Sequence, residues 1–381
     1  MKQVAKTSGA NSRSAQSPTP QRRTQQSRIP QSRTPQGRTP RSRVWIVAEL
    51  SANHGGSLEK ALALVRVARE CGADAVKIQT YTADTITLDC DNEYFQVKHG
   101  TIWDGTTLHK LYREAYTPWE WHRPIQEAVA REGMVFFSTP FDFTSVDFLE
   151  SLDVPMYKIA SFELVDLPLI ERIAQTGKPA ILSTGMATLG EIDEAVRAFR
   201  DAGGAELTLL KCTSAYPARP EEMNLRTIPH LAEAFQAPVG LSDHSLGIAV
   251  PVAAVALGAC VIEKHLTLSR SDPGPDSAFS TEPAEFKTMV DAVRVAERAL
   301  GAVSYDASEK EKSSRSFRRS LFVVEDVSAG ERFTENNVRS IRPAYGLPTR
   351  HAAEVMGRPA ARDLKRGTPL AWDMLANQST H

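Results

Sequence analysis

From position 44 onward, short apolar runs alternate with longer stretches in which apolar residues recur every three or four positions. The short runs are 44–50, 75–79, 134–139, 156–160, 179–183, 207–211, 239–242 and 261–265. Each is nearly continuous in hydrophobics, as a strand buried on both faces should be. The stretches between them read as helices, among them 58–71, 118–131, 189–202 and 224–235. In 58–71, Leu58, Leu62, Val65 and Ala68 fall on one face at helical spacing. Pro118, Pro168 and Pro283 suit first helical turns, and Gly72 and Gly258 stand where a helix needs a left-handed closing residue. Eight strand–helix units in about 255 residues is the size of a (β/α)8 TIM barrel, an α/β fold, expected here over 44–300. A doubly wound open sheet competes, but no Gly-x-Gly-x-x-Gly follows the first strand.

Two regions break the pattern. Residues 1–43 are rich in Arg, Ser, Gln, Thr and Pro, with Arg-x-Pro recurring at Arg28, Arg33 and Arg38. They lack the apolar content to offset ordering entropy and are expected to be a disordered extension. Residues 301–315 are polar and charged, a linker. Residues 316–375 hold two similar turns, Glu325-Asp326-Val327-Ser328-Ala329-Gly330 and Arg362-Asp363-Leu364-Lys365-Arg366-Gly367, each followed by an apolar residue, Phe333 and Leu370. That pattern predicts a small, pseudo-repeated β-rich domain.

Charge refines this picture. The whole chain of 381 residues carries a formal net charge of −1. Residues 1–43 hold ten Lys and Arg and no acid, which leaves 35 basic against 46 acidic side chains on the rest, net −11. An acidic body argues against nucleic acid as the main partner. The four cysteines lie far apart without CxxC spacing, which predicts free thiols and a reducing, cytoplasmic setting. No apolar run approaches the ~18 residues of a membrane span.

In such a barrel, chemistry occurs at the C-terminal ends of the strands. Those ends are unusually polar here: Glu49 and Asn53-His54-Gly55; Lys77 and Gln79; Thr139; Lys158 and Ser161; Ser183-Thr184-Gly185; Lys211 and Thr213-Ser214; Ser242-Asp243-His244; Glu263-Lys264-His265. A lysine inside a buried strand costs several kcal/mol unless paired or solvated. Lys77 and Lys158, with Lys211 and Lys264 as further candidates, together with the hydroxyls predict an anion site suited to phosphate and carboxylate; structural ion pairs are the alternative. His244 and His265 at adjacent strand ends predict a divalent metal, with Asp243 or Glu263 and water completing the shell; two hydrogen-bonded core histidines are the alternative. The absence of Cys ligands favours an exchangeable Mn²⁺ or Mg²⁺ over a closed structural zinc. For Asn53-His54-Gly55, turn capping and catalysis both stay open.

These residues carry a resemblance. Ala48-Glu49 with Asn53-His54-Gly55, Val76-Lys77-Ile78-Gln79-Thr80, Tyr157-Lys158-Ile159-Ala160-Ser161, Leu182-Ser183-Thr184-Gly185-Met186, Ser242-Asp243-His244, Glu263-Lys264-His265 and Pro273-Gly274-Pro275-Asp276 resemble the sialic acid synthase family, over about residues 44–375. Residues 316–375 resemble that family's antifreeze-like, or SAF, domain. Thr101-Ile102-Trp103-Asp104-Gly105, Tyr116-Thr117-Pro118-Trp119-Glu120-Trp121-His122, Thr213-Ser214-Ala215-Tyr216-Pro217 and Asp276-Ser277-Ala278-Phe279-Ser280 are similar to its pseudaminic acid branch. Ser214 stands where the N-acetylneuraminate branch usually has Asn.

The resemblance implies condensation of phosphoenolpyruvate with an open-chain amino-sugar aldehyde, with water added and phosphate released. In the pseudaminic branch the sugar would be 2,4-diacetamido-2,4,6-trideoxy-L-altrose; N-acetylneuraminate or legionaminate synthesis is the alternative. It implies phosphoenolpyruvate contacts at Lys77, Thr139, Lys158, Ser161, Ser183, Ser214 and Ser242. Metal ligands would be His244 and His265, with Mn²⁺ expected and Mg²⁺ or Co²⁺ as alternatives. Glu49, Glu263 and Asp276 would be acid–base groups or sugar contacts, joined by Tyr216 and by Arg342 from the small domain. It also implies a homodimer in which the SAF domain covers the partner's barrel. A metal-dependent aldolase and a non-enzymatic sugar-binding protein are the other readings; the small C-terminal domain counts against the first and the polar strand ends against the second.

Overall fold

The computed structural model describes residues 43–98 and 100–376. The expected extension lies outside the described residues except for Arg43, which pairs with Asp74 at 2.8 Å. The chain divides into two compact units at Gly301.

In the first unit eight parallel strands close into a barrel in sequence order. They are β1 (Trp45–Glu49), β2 (Ala75–Thr80), β3 (Val135–Pro140), β4 (Tyr157–Ile159), β5 (Ala180–Ser183), β6 (Leu207–Cys212), β7 (Val239–Asp243) and β8 (Val261–His265). All eight overlap the runs read from the sequence. The helices that return the chain follow their local signals. Leu58–Glu70 starts where the Ser57 hydroxyl accepts from the Lys60 amide. Leu189–Asp201 starts at a reciprocal cap between Thr188 and Glu191. Pro168 and Pro283 do occupy first turns, whereas Pro118 sits one position earlier, at the cap before Trp119–Arg131.

Alternation along the strands sorts the wall into two faces. Ile46, Ala48, Val76, Ile78, Tyr157, Leu182, Leu241 and Ile262 face outward and pack under the helices in the main core. Val47, Ala75, Phe137, Met156, Ile181, Leu210 and Val261 face inward as a second, smaller cluster that plugs the barrel. Gly240 joins this layer where a Cβ would meet the Val261 carbonyl oxygen at 2.5 Å. The plug is a solid floor, and the inward residues beyond it rise to the C-terminal mouth.

The second unit has its own core, with Leu321, Val323, Phe333, Val338, Leu347 and Leu370 among its members. Its two strands, β9 (Ser320–Val323) and β10 (Val338–Ile341), pair antiparallel. The two similar turns face each other. Val327 and Leu364 exchange both backbone hydrogen bonds, at 2.9 and 2.8 Å. Asp326 accepts from the Arg366 amide at 2.9 Å, and Asp363 accepts from the Ala329 amide at 2.7 Å. The repeat is therefore an approximate two-fold in which each turn's aspartate caps the other. Residues 301–315 are not purely a linker: they include a short helix, Glu309–Ser314, opened by Ser308 and Glu311. Among the described residues, no helix is long and apolar enough to cross a membrane.

Candidate active site

Seven of the eight strands send a polar inward side chain to the mouth within one or two residues of their ends, and the geometry groups these side chains into a charged half and an aromatic half. In the charged half, Lys77 Nζ lies 2.5 Å from Glu49 Oε2, 3.3 Å from Thr139 Oγ1 and 3.7 Å from Glu263 Oε1. Lys158 Nζ donates to Ser183 Oγ at 2.7 Å and lies 3.7 Å from the same Glu263 oxygen. Ser242 Oγ donates to Glu263 Oε1 at 3.3 Å. All these groups are buried. Glu263 Oε2 finds no hydrogen-bond partner among the described residues.

Environment separates the carboxyls. Burial pushes Glu49 up, with Glu263 adding to it and Lys77 opposing. Glu263 ends below its ordinary value despite burial, because Lys158 and Lys77 both face it. Burial pulls Lys158 down. Asp276, brought in by the segment after β8, is pushed up by burial although Ser51 Oγ and the Ala52 amide donate to it.

Beside the lysines is a small cradle. The Gly185 amide donates to Ser161 Oγ at 3.1 Å. A Cβ at Gly185 would stand 2.3 Å from Ser214 Oγ and 2.7 Å from Ser161 Oγ. The glycine thus leaves room beside two hydroxyls, Ser161 and Ser214, that can donate to an oxyanion. Cys212 opens onto the same place, with Sγ 3.9 Å from Ser214 Oγ and 4.0 Å from His244 Nδ1. Burial would push this thiol up, but His244, Ser161 and Lys158 bring it to about 6.

In the aromatic half, the His244 and His265 rings lie 5.4 Å apart. His244 Nδ1 donates to the Thr213 carbonyl at 2.9 Å, which turns its Nε2 lone pair away from the backbone. A metal-ligating imidazole is commonly held in this way through its other ring nitrogen. His265 Nδ1 is buried and has no hydrogen-bond partner among the described residues. Burial, His244 and the nearby lysines hold His265 far below its usual range, as a neutral imidazole. The pair therefore fits a divalent cation. The expected carboxylate ligand does not appear, however. Asp243 faces outward and is bound by Lys264 at 2.5 Å and by the Ser245 amide and hydroxyl at 3.0 and 2.6 Å. Among the described residues, no group of three His, Cys, Asp or Glu side chains is gathered closely enough to hold a metal. Tyr216 covers the imidazoles, 4.3 Å from His244 and 6.3 Å from His265, and Phe279 and Trp103 continue the wall.

Two of the candidate lysines need correction. Lys264 and Lys211 do not face the anion site. Lys264 pairs with Asp243 on the outer face, and Lys211 donates to the Cys212 carbonyl and to Thr213 Oγ1. Asn53 and His54 form a turn: Asn53 Nδ2 donates to the Leu266 carbonyl and Ser280 Oγ, and His54 Nδ1 accepts from the Gly56 amide. Arg342 is exposed in the second unit, just past β10. Three residues were missed. Cys212 is hidden in the apolar run of β6, whose inward and outward positions the sequence alone does not distinguish. Glu163, behind Ser161-Phe162, has a buried Oε2 without a hydrogen-bond partner among the described residues and is raised by burial to about 7. Trp103 reaches the wall from a loop whose conformation no periodicity predicts.

Comparison with known proteins agrees with this fold. Residues 64–305 match the NeuB family and residues 318–376 match the SAF domain. The chain is 49% identical over 328 residues to the pseudaminic acid synthase of Campylobacter jejuni, covering 86% of this chain and 95% of that protein. It is 45% identical over 329 residues to the pseudaminic acid synthase of Helicobacter pylori, covering 86% and 96%. The crystal structure of an N-acetylneuraminic acid synthetase from Leptospira borgpetersenii superposes with a TM-score of 0.64 at 32% identity, covering 72% of this chain and 90% of that one. The chain, a TIM barrel followed by an SAF domain, is a member of the NeuB family.

Proposed function

We propose that the protein is a pseudaminic acid synthase, joining phosphoenolpyruvate to 2,4-diacetamido-2,4,6-trideoxy-L-altrose with addition of water and release of phosphate. The observation that carries this reading is the pairing of two buried lysines and a hydroxyl-lined glycine cradle with two imidazoles at one barrel mouth. Higher identity to the two pseudaminic acid synthases than to the N-acetylneuraminic acid synthetase supports the choice of sugar.

Phosphoenolpyruvate carries a phosphate and a carboxylate. Lys77 and Lys158 are the cations for them, and Ser161, Ser183, Ser214, Ser242 and Thr139 supply hydroxyl donors. Held in this way, the three-carbon unit needs no further orientation at the moment of reaction. Its enol carbon is a weak nucleophile. A divalent cation on His244 and His265, Mn²⁺ with Mg²⁺ or Co²⁺ as alternatives, would make the aldehyde carbonyl more electrophilic. Glu263, held ionised by two lysines, is the group suited to take a proton from the incoming water. Glu49 and Asp276, pushed toward their neutral forms by burial, are suited to hold or donate one. Tyr216 flanks the sugar.

The same reading includes a homodimer whose SAF domain covers the partner's barrel and brings Arg342 to the sugar. Its support is exposed apolar surface in both units. Leu88, Ile102, Phe162, Val165, Met186 and Leu246 are more than half exposed in segments that follow strand ends. Phe317 and Tyr345 are exposed in the second unit at 66% and 72%. Solitary exposed apolar residues are ordinary, but several of them in the segments that follow strand ends suit a covered surface.

The test is phosphate release from phosphoenolpyruvate with three sugars: the trideoxy-L-altrose derivative, the legionaminic acid precursor and N-acetylmannosamine. Turnover with the first in clear excess over the others is expected. Preference for another of the three would move the protein to a different branch, and no release with any would overturn the reading.

A further inference from the structure

We propose that Trp103, backed by Tyr216 and Phe279, makes the site selective for sugars that end in a methyl group over those that end in a hydroxymethyl group. The inference rests on the reading that this mouth binds an amino-sugar aldehyde. Trp103 comes from the segment between β2 and the helix Leu108–Ala115. Its ring lies 5.5 Å from Tyr216 and 6.4 Å, edge-on, from Phe279. Phe279 is itself 5.0 Å from Tyr216 and 5.1 Å from His265. The rings therefore run in an unbroken series from the imidazole pair to Trp103.

The chemistry of the Phe279 and Trp103 end of this series is one-sided. Phe279 is buried, whereas Trp103 is half-buried and so retains exposed surface. The only polar atom of the indole is already used: Nε1 donates to the Pro275 carbonyl at 2.8 Å. What Trp103 offers a ligand is thus an aromatic face with no donor or acceptor to spare. An aldehyde whose reacting carbon sits at His244 and His265 lays the remainder of its chain along the wall. A methyl group gains contact there. A hydroxyl pressed against the same face loses water and gains no partner. Discrimination of this kind in an apolar pocket is roughly 10–200-fold.

The indole has a second connection that the test must separate from the first. Through Pro275, Trp103 holds the segment that carries Asp276, and Lys60 holds that segment from the other side by pairing with Asp272 at 2.7 Å. Trp103→Phe keeps a ring and removes the hydrogen bond; Trp103→Ala removes both.

The experiment compares kcat/KM for the 6-deoxy aldehyde and its 6-hydroxy counterpart in the parent enzyme and both variants. The parent is expected to favour the deoxy sugar by roughly 10–100-fold. Trp103→Ala should cut that ratio at least tenfold, chiefly by losing the deoxy sugar, with the KM for phosphoenolpyruvate changed less than threefold. Trp103→Phe should retain most of the ratio. Equal losses on both sugars in Trp103→Ala, or a Phe variant as unselective as the Ala variant, would overturn the proposal. If Trp103→Ala does not fold, an unselective but folded Trp103→Phe overturns it alone. A parent enzyme that turns over neither sugar overturns the functional reading and this inference with it. A parent that turns over both, with a ratio unmoved by Trp103→Ala, overturns only this inference.

Discussion

The two faces of the barrel wall bury similar polar groups to opposite ends. On the outer face, Lys264 meets Asp243 at 2.5 Å and the Ser245 carbonyl at 2.6 Å, while Asp243 also accepts from the Ser245 amide and hydroxyl. Elsewhere on the same face, Thr80 Oγ1 lies 2.6 Å from Ser138 Oγ and 2.8 Å from His122 Nε2, and His122 Nδ1 donates to the Pro118 carbonyl at 3.2 Å. These groups have their partners inside the protein. On the inner face, Glu263 shares one oxygen among Lys77, Lys158 and Ser242 at 3.3–3.7 Å, and its other oxygen has no hydrogen-bond partner among the described residues. The same is true of His265 Nδ1. Buried charge that is fully paired is architecture; buried charge left short of partners is sustained by the fold for something that arrives.

Removing the inner imidazoles should have the largest effect. His244→Ala with His265→Ala is expected to lower phosphate release at least a thousandfold and to abolish Mn²⁺ binding measured by electron paramagnetic resonance, with little change in the unfolding midpoint. Full activity in this variant, or tight Mn²⁺ binding by it, would remove the metal from the reading.

The outer pair should behave in the reverse way. Lys264→Met strands the Asp243 charge in the wall and should cost about 3–5 kcal/mol of stability. Replacing both partners by apolar residues, Asp243→Leu with Lys264→Met, should recover most of that loss, because the desolvation penalty goes with the charges. Urea unfolding of the single and double variants checks both. A double variant as unstable as the single one would mean that the pair holds Ser245 by its hydrogen bonds and that charge is secondary.

A smaller effect belongs to His122. Burial pushes it down to about 4, so the unfolded chain binds the proton more readily between that value and the ordinary value of about 6.5. Stability from this residue is therefore fully present above about pH 6.5 and is lost as pH falls toward 4. His122→Gln should reduce the fall in unfolding free energy between pH 7 and pH 5 by about 2 kcal/mol. An unchanged pH slope would place the acid sensitivity elsewhere.

The distinction between the two faces also shows what could be read in the chain. The eight strands were legible because each is apolar on both faces. For the same reason their phase was not: a run such as 261–265 shows Glu263, Lys264 and His265 side by side without saying which face inward. Closure of the barrel sets the phase, through β8 pairing with β1 so that Glu263 stands opposite Val47 and His265 opposite Glu49. Lys77 and Lys158 were therefore grouped with Lys211 and Lys264, which face the other way. The serines and histidines of the site lay in distinctive clusters and could be found. Trp103 stood out only within a motif and Glu163 not at all, since their place at the site depends on how a loop returns to the mouth.

The central distinction is tested most directly by titrating phosphoenolpyruvate into the parent, Lys158→Met and Lys264→Met by isothermal calorimetry, under conditions where all three are folded. The inner substitution should weaken binding at least a hundredfold, and the outer one by less than threefold. Equal weakening by the two, or binding untouched by Lys158→Met, would contradict the assignment of the inner face to ligand and the outer face to structure.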